Sequence, residues 1–270
     1  MRRRVFTIVV ALTAVFLFLF WLANHFVFDQ LSTISVPQDV NVDSRTFAGA
    51  FLMGLAMFAT LFLGVVLAVF LTIGVVSGDA ERGLLQPLVV RPVGRSTLIV
   101  SRFLGAAGVC AAYVLSVYFA AMAITGLTGH WWPGRILWPG VELALAVFVV
   151  IGLSLLGSVG LSSTANGIAI FMLFGAGLVA GLLGTIGHAL NSHAVKHAST
   201  IAAWALPFEA LYQDSLRMIT ERTSGLTSFL LQLGPFGGAY VHGWSIRVWA
   251  VVYLCGVGVA ALYAFSRRDL

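Results

Sequence analysis

Six long runs with no ionisable residue near their middles dominate this chain, at 5–26, 47–76, 98–127, 141–160, 167–187 and 248–265. A helix needs about 20 apolar residues to cross the hydrocarbon of a bilayer. Within lipid, a helix satisfies its own backbone groups. Hydrophobic residues make up 60% of the sequence and charged residues 9%, against about 25% charged in soluble domains. A globular core has no use for so much apolar surface, so the solvent must be lipid. The 29 glycines fit the same reading, because Gly is frequent in membrane helices. The expected fold is all-α, a polytopic membrane protein with six transmembrane helices.

Orientation follows from the loops, where Lys and Arg accumulate on the cytoplasmic side. With both termini cytoplasmic, that side holds Arg2, Arg3, Arg4, Arg82, Arg91, Arg95, Arg102, Arg267 and Arg268 in three tight clusters. The outer side holds Arg45, Arg135, Lys196, Arg217, Arg222 and Arg247, scattered over longer loops. The opening MRRR and its apolar run also resemble a signal peptide, but the run is long for one and no convincing A-x-A site follows. The net charge of +5 is explained by arginines beside helix ends. Their contacts are anionic lipid headgroups, and nucleic acid is rejected as a partner. Cys110 and Cys255 fall inside spans and act as small hydrophobes.

The segment 77–102 is a charged island between two apolar runs. It carries Asp79, Glu81, Arg82, Arg91, Arg95 and Arg102. Residues 80–88 can form a short helix, Pro92 disfavours helix at Arg91, and Ser96 can cap the third span. Carboxylates contribute little to topology, so Glu81 in this loop points to specific salt bridging. The second and third runs are long enough to tilt strongly or to project beyond the bilayer. Residues 188–247 form the largest non-spanning stretch, and Pro207 and Pro235 interrupt its apolar pieces. It is expected to form short amphipathic or re-entrant helices on the outer side before the last span. Pairs Asp214–Arg217 and Arg217–Glu221 would lie on one helix face. Gly177 and Gly181 have a small-xxx-small spacing that allows close helix approach, either within one subunit or at a dimer seam. Trp131, Trp132, Trp138, Trp244 and Trp249 are expected in interfacial aromatic belts.

Several elements in order resemble the permease subunits of ABC-2 type transporters, which pair with a separate ATPase. They are Glu81-Arg82-Gly83, Leu88, Arg91-Pro92-Val93-Gly94-Arg95, Arg102 before Leu104-Gly105, and the ending 265–270. Ala205-Leu206-Pro207 followed by Leu211-Tyr212 is similar to the family as well. The resemblance covers residues 1–270 as one transmembrane domain, with a coupling region at 77–102 and an outer region at 188–247. It implies two ABC ATPase subunits beneath two permease copies, a homodimer or a heterodimer, in the cell membrane of a bacterium or archaeon. ATP and Mg would be bound by the partner ATPase, with no cofactor in this chain. The ATPase-coupling residues it implies are Glu81, Arg82, Gly83, Arg91, Pro92 and Arg95. Two departures stand out. Only Met1 to Arg4 precede the first span where the family has an amphipathic elbow helix, and the uncharged loop 161–166 implies a slight second coupling contact.

The sequence has no GxxxxGK[ST] pattern and its single Lys is Lys196, so it is not expected to act as an enzyme by that route. An ion-coupled secondary transporter or channel is the alternative. That reading needs ionisable groups at mid-membrane depth, and Glu142, at the outer mouth of the fourth span, is the sole candidate. A membrane-embedded enzyme is the weakest reading: His193 and His197 have ligand spacing, but HExxH is absent and Lys196 would oppose a cation. An uncharged path lined with Phe, Leu and Gly points to export of an apolar or amphipathic compound, such as a drug or lipid-like molecule.

Overall fold

The computed structural model describes residues 2–33, 44–72, 95–220 and 243–267. Eight α-helices and no strand occur among them. In chain order they are α1 (Arg2–Thr33), α2 (Ser44–Thr72), α3 (Arg95–Gly129), α4 (Leu137–Gly160), α5 (Ser163–Ala189), α6 (His193–Ala205), α7 (Pro207–Thr220) and α8 (Gly243–Ser266). Six of them, α1 to α5 and α8, are long and apolar enough to cross a membrane. The all-α, six-span expectation therefore holds.

The helix ends differ from the hydropathy boundaries where polar residues join a helix. α8 starts at Gly243 and takes in Arg247. α3 starts at Arg95, which places Ser96 inside the first turn and not at the cap. Backbone hydrogen bonding sets these ends, whereas hydropathy marks only the apolar middle. At about 1.5 Å per residue, the 29 residues of α2 and the 35 of α3 exceed the roughly 30 Å of hydrocarbon.

Side-chain contacts show which ends lie together. Phe28, late in α1, packs on Gly129 at the end of α3. Trp131, just beyond α3, packs on Gly49 at the start of α2, where a Cβ would come within 2.6 Å of the indole. Tyr118 Oη donates to the Ile136 carbonyl before α4 (2.9 Å). At the opposite end, Thr72 of α2 meets Ser154 of α4. The spans therefore run up and down. α4 is central and packs on α2, α3, α5, α7 and α8. Its Leu143, Val147 and Ile151 join Met53, Met57 and Leu61 of α2 in the core.

Trp131 corrects the aromatic-belt expectation. It is buried, while Trp138 and Trp244 are exposed. A ring flat against a glycine is a packing plug, and hydropathy reading does not separate that from an interfacial anchor.

Candidate functional site

The candidate site is built around α7 at the end where α4 and α8 begin. The α5–α6 turn is tight: Asn191 takes a positive φ of 48°, and Ser192 N–H closes on the Gly187 carbonyl (3.0 Å). This is the αL ending common at helix C-termini. α6 then packs back along α5. Its last turn is held by Trp249 Nε1, which donates to the Trp204 carbonyl (2.8 Å). Pro207 stops α6 and opens α7, where its missing N–H costs nothing.

α7 is polar in sequence yet buried on nearly every face. Glu209, Gln213, Asp214 and Ser215 are each at most 8% exposed. Buried polar groups must find partners, and α7 finds them on two sides.

Toward α4 and α8, Asp214 and Glu142 share one guanidinium. Arg247 Nε donates to Glu142 Oε1 (2.5 Å), and Arg247 Nη2 donates to Asp214 Oδ2 (2.8 Å). The rigid donor fork of Arg suits two carboxylates at once. The three residues come from α4, α7 and α8, so one cation fastens three helices. The expected Asp214–Arg217 pair gives way to this clamp. Among the described residues Arg217 Nη1 has no hydrogen-bond partner, and Glu221 lies outside them.

Toward α5, Glu209 accepts from Gln213 Nε2 (2.7 Å). Both side chains rest on Gly181, where a Cβ would overlap the Glu209 carboxylate. Gly177 makes the same room for Phe208, whose ring would lie 2.6 Å from a Cβ there. The small-residue spacing thus seats α7 within the chain. Phe208 stacks on Phe174 (5.9 Å), and Tyr212 meets Phe58 of α2 edge-on (6.4 Å).

Burial pushes the Glu209 carboxyl up to about 7, and the Gln213 amide offsets this only in part. Burial, then the neighbouring Glu209, raises the Tyr212 phenol. Among the described residues, Tyr212 Oη and Gln213 Oε1 are buried without a hydrogen-bond partner. A buried polar layer with spare donors and acceptors is costly to keep closed. That suits an element that opens.

Among the sequence-predicted coupling residues, Glu81, Arg82, Gly83, Arg91 and Pro92 lie outside the described residues. Arg95 opens α3. Sequence reading missed the clamp by treating Glu142 as an interfacial residue and Arg247 as a loop charge. A usable signal was present. Glu142 is the sixth residue of α4 and Arg247 the fifth of α8, two helices that start at the same end. Opposite charges at matched depth pair readily. His193 and His197 are exposed on α6, and Lys196 Nζ donates to Asn191 Oδ1 (2.7 Å).

A family model described as ABC-2 family transporter protein matches residues 1–270. No curated protein and no solved structure gives a match. Permeases of this family are membrane transport subunits, and membership implies association with an ABC ATPase subunit. The six apolar helices agree with a multi-pass membrane protein. The chain belongs to the ABC-2 transporter family, as a transmembrane permease subunit.

Proposed function

We propose that this permease exports an apolar or amphipathic compound, using ATP hydrolysed by a separate ABC ATPase that docks on the 77–102 island. Glu81, Arg82, Gly83, Arg91, Pro92 and Arg95 form the docking element. Two permease copies, as a homodimer, sit on two ATPase subunits, which hold ATP and Mg. Both termini face the cytoplasm of a bacterium or archaeon, and residues 1–270 act as one transmembrane domain.

The observation that carries this reading is the closure of one end of the bundle by α7. At that end two buried carboxylates are gathered onto one arginine, while the long faces of α1, α5 and α8 expose large apolar side chains such as Phe18, Met172 and Val259. Such a molecule offers a cargo apolar surface and a removable plug. A cavity of about 230 Å³ between α3, α4 and α8 is lined by Ile99, Phe103, Leu155, Leu254 and Leu262. Its chemistry supports an apolar cargo.

Opening the plug requires α7 to leave its seat, which the ATPase drives from the other end through the spans. Purification of the native complex with mass spectrometry of untagged partners tests the reading. An ABC ATPase at one copy per permease is expected, and its absence overturns the proposal. Orientation is tested separately with an impermeant thiol reagent. Gly134→Cys is expected to react from outside and Gly94→Cys not, and the reverse pattern inverts the topology.

A further inference from the structure

At the end opposite α7, a chain of three buried side chains joins α2, α4 and α5. Thr72 Oγ1 donates to the Ala68 carbonyl (2.7 Å). Its single proton is then committed, so the short contact between Thr72 Oγ1 and Ser154 Oγ (2.6 Å) is donated by Ser154. Ser154 in turn accepts from Asn166 Nδ2, at its hydroxyl (3.3 Å) and at its carbonyl (2.9 Å). The chain runs in one direction, from the Asn166 amide through the Ser154 hydroxyl to the Thr72 hydroxyl and the α2 backbone. All three residues are fully buried. Reversing the Asn166 amide would set its oxygen against the Ser154 carbonyl, so the network fixes its orientation.

The positions of these residues give the chain its meaning. Thr72 is the last residue of α2, and the charged island follows in sequence. Asn166 lies in the first turn of α5, directly after the α4–α5 turn at 161–162. Its carboxamide lies against Gly157 of α4, where any Cβ would overlap Asn166 Oδ1. Asn166 N–H also caps back to the Ser162 carbonyl (2.9 Å). The turn is thus held to α4, and α4 to α2, by oriented hydrogen bonds between fully buried side chains. Within such surroundings a hydrogen bond is costly to break, because neither partner finds water.

We infer that Thr72, Ser154 and Asn166 are positioning residues that carry displacement of the 77–102 island into the α4–α5 turn and so into α5, the helix that seats α7. The inference rests on the docking role proposed above for that island. It also gives the uncharged stretch 161–166, the turn and the first turn of α5, a role. That stretch is moved from inside the permease through α2, and so has no need of charges of its own for the ATPase.

The test reads thiol-labelling rates at two sites in the purified complex with its ATPase, with and without ATP and vanadate. Gly94→Cys reports the island and Ser162→Cys reports the turn, each in a Cys255→Ser background. Nucleotide is expected to change both rates by about fivefold or more, the lower range of allosteric coupling. With Thr72→Val or Asn166→Leu added, the response at Gly94→Cys is expected to persist. The response at Ser162→Cys is expected to fall below about twofold. Thr72→Ser, which keeps the hydroxyl, restores it. A purely structural role would lower yield and melting temperature in the variants and leave the nucleotide response at both sites. An unchanged turn response in a folded Thr72→Val complex overturns the relay alone. If Gly94→Cys is insensitive to nucleotide in the otherwise unaltered chain, the docking reading fails, and the relay with it.

Discussion

At the α7 end, α4, α7 and α8 meet on charge: two carboxylates, 2% and 5% exposed, on one arginine. At the other end, α2, α4 and α5 meet on two hydroxyls and one amide. α4 takes part in both, through Glu142 near its start and Ser154 near its end. The energetics differ in kind. A charge clamp is all or none, because losing the guanidinium leaves two buried carboxyl groups without their shared donor. A neutral hydrogen-bond chain loses a smaller increment for each bond broken than the clamp does. The first suits a closure with two states, and the second suits a joint that stays made while it moves.

Breaking the clamp is therefore expected to give the largest effect. Arg247→Ala leaves Glu142 and Asp214 buried without a cation and is expected to cost about 3–5 kcal/mol, read as a large fall in thermal stability in detergent. Adding Glu142→Gln and Asp214→Asn removes the stranded charges and is expected to recover part of the loss. If Arg247→Ala melts with the parent protein, the clamp does not hold the helices.

The second comparison is between the two faces of α7, one with a cation and one without. Glu209 accepts a hydrogen bond from Gln213 and has no cation bonded to it among the described residues, and its carboxyl is raised from 4.5 to about 7. A raised carboxyl stabilises the folded state fully below its unfolded value and loses that contribution as pH climbs through the folded one. Stability is thus expected to fall between about pH 4.5 and pH 7 by on the order of 3 kcal/mol. The groups facing α7 from its neighbours are Glu142 of α4 and Arg247 of α8, already paired, and α6 carries His193, Lys196 and His197. Glu209→Gln is expected to flatten the melting temperature across this range. An equal slope in the variant assigns the dependence to another buried group and contradicts the role given to Glu209.

These two effects bear on how much the sequence could tell. The six spans were legible because length and apolarity alone decide them, and the break at Pro207 because a proline stops a helix by its own geometry. The charges of the 77–102 island stand close together in the sequence, and its residues before Arg95 lie outside the described ones. The clamp was not legible: Glu142, Asp214 and Arg247 are far apart in the chain and meet only when α7 folds under α4. Local pairing rules suggested Asp214 with Arg217, worth about 0.2–0.5 kcal/mol, and a desolvated bidentate arginine outcompetes that. Trp131 was misplaced for a related reason, because its partner, Gly49, has no side chain to announce the contact.

Smaller effects sharpen the comparison further. Gly181→Ala puts a methyl into the Glu209 carboxylate and is expected to cost about 1–3 kcal/mol by overpacking, with raised protease sensitivity in α6 and α7. Normal stability and protease resistance would mean that α7 is not seated on α5. Thr72→Val is the mildest, at about 0.5–1.5 kcal/mol. Its thermal shift is expected to be smaller than that of Arg247→Ala, and a larger one would reverse the ranking of the two ends.

The central claim is that energy enters at the island end while the α7 end only closes the path. The direct measurement is ATP hydrolysis by the partner ATPase with and without the permease in lipid nanodiscs. Glu81→Lys, Arg95→Glu and Arg247→Lys are compared. Reversing one member of a partly desolvated docking pair costs about 2–5 kcal/mol, so stimulation is expected to vanish in Glu81→Lys and Arg95→Glu. In Arg247→Lys, which keeps the cation but loses the fork, stimulation is expected to persist. Full stimulation in both island reversals, with membrane insertion intact, would contradict the account.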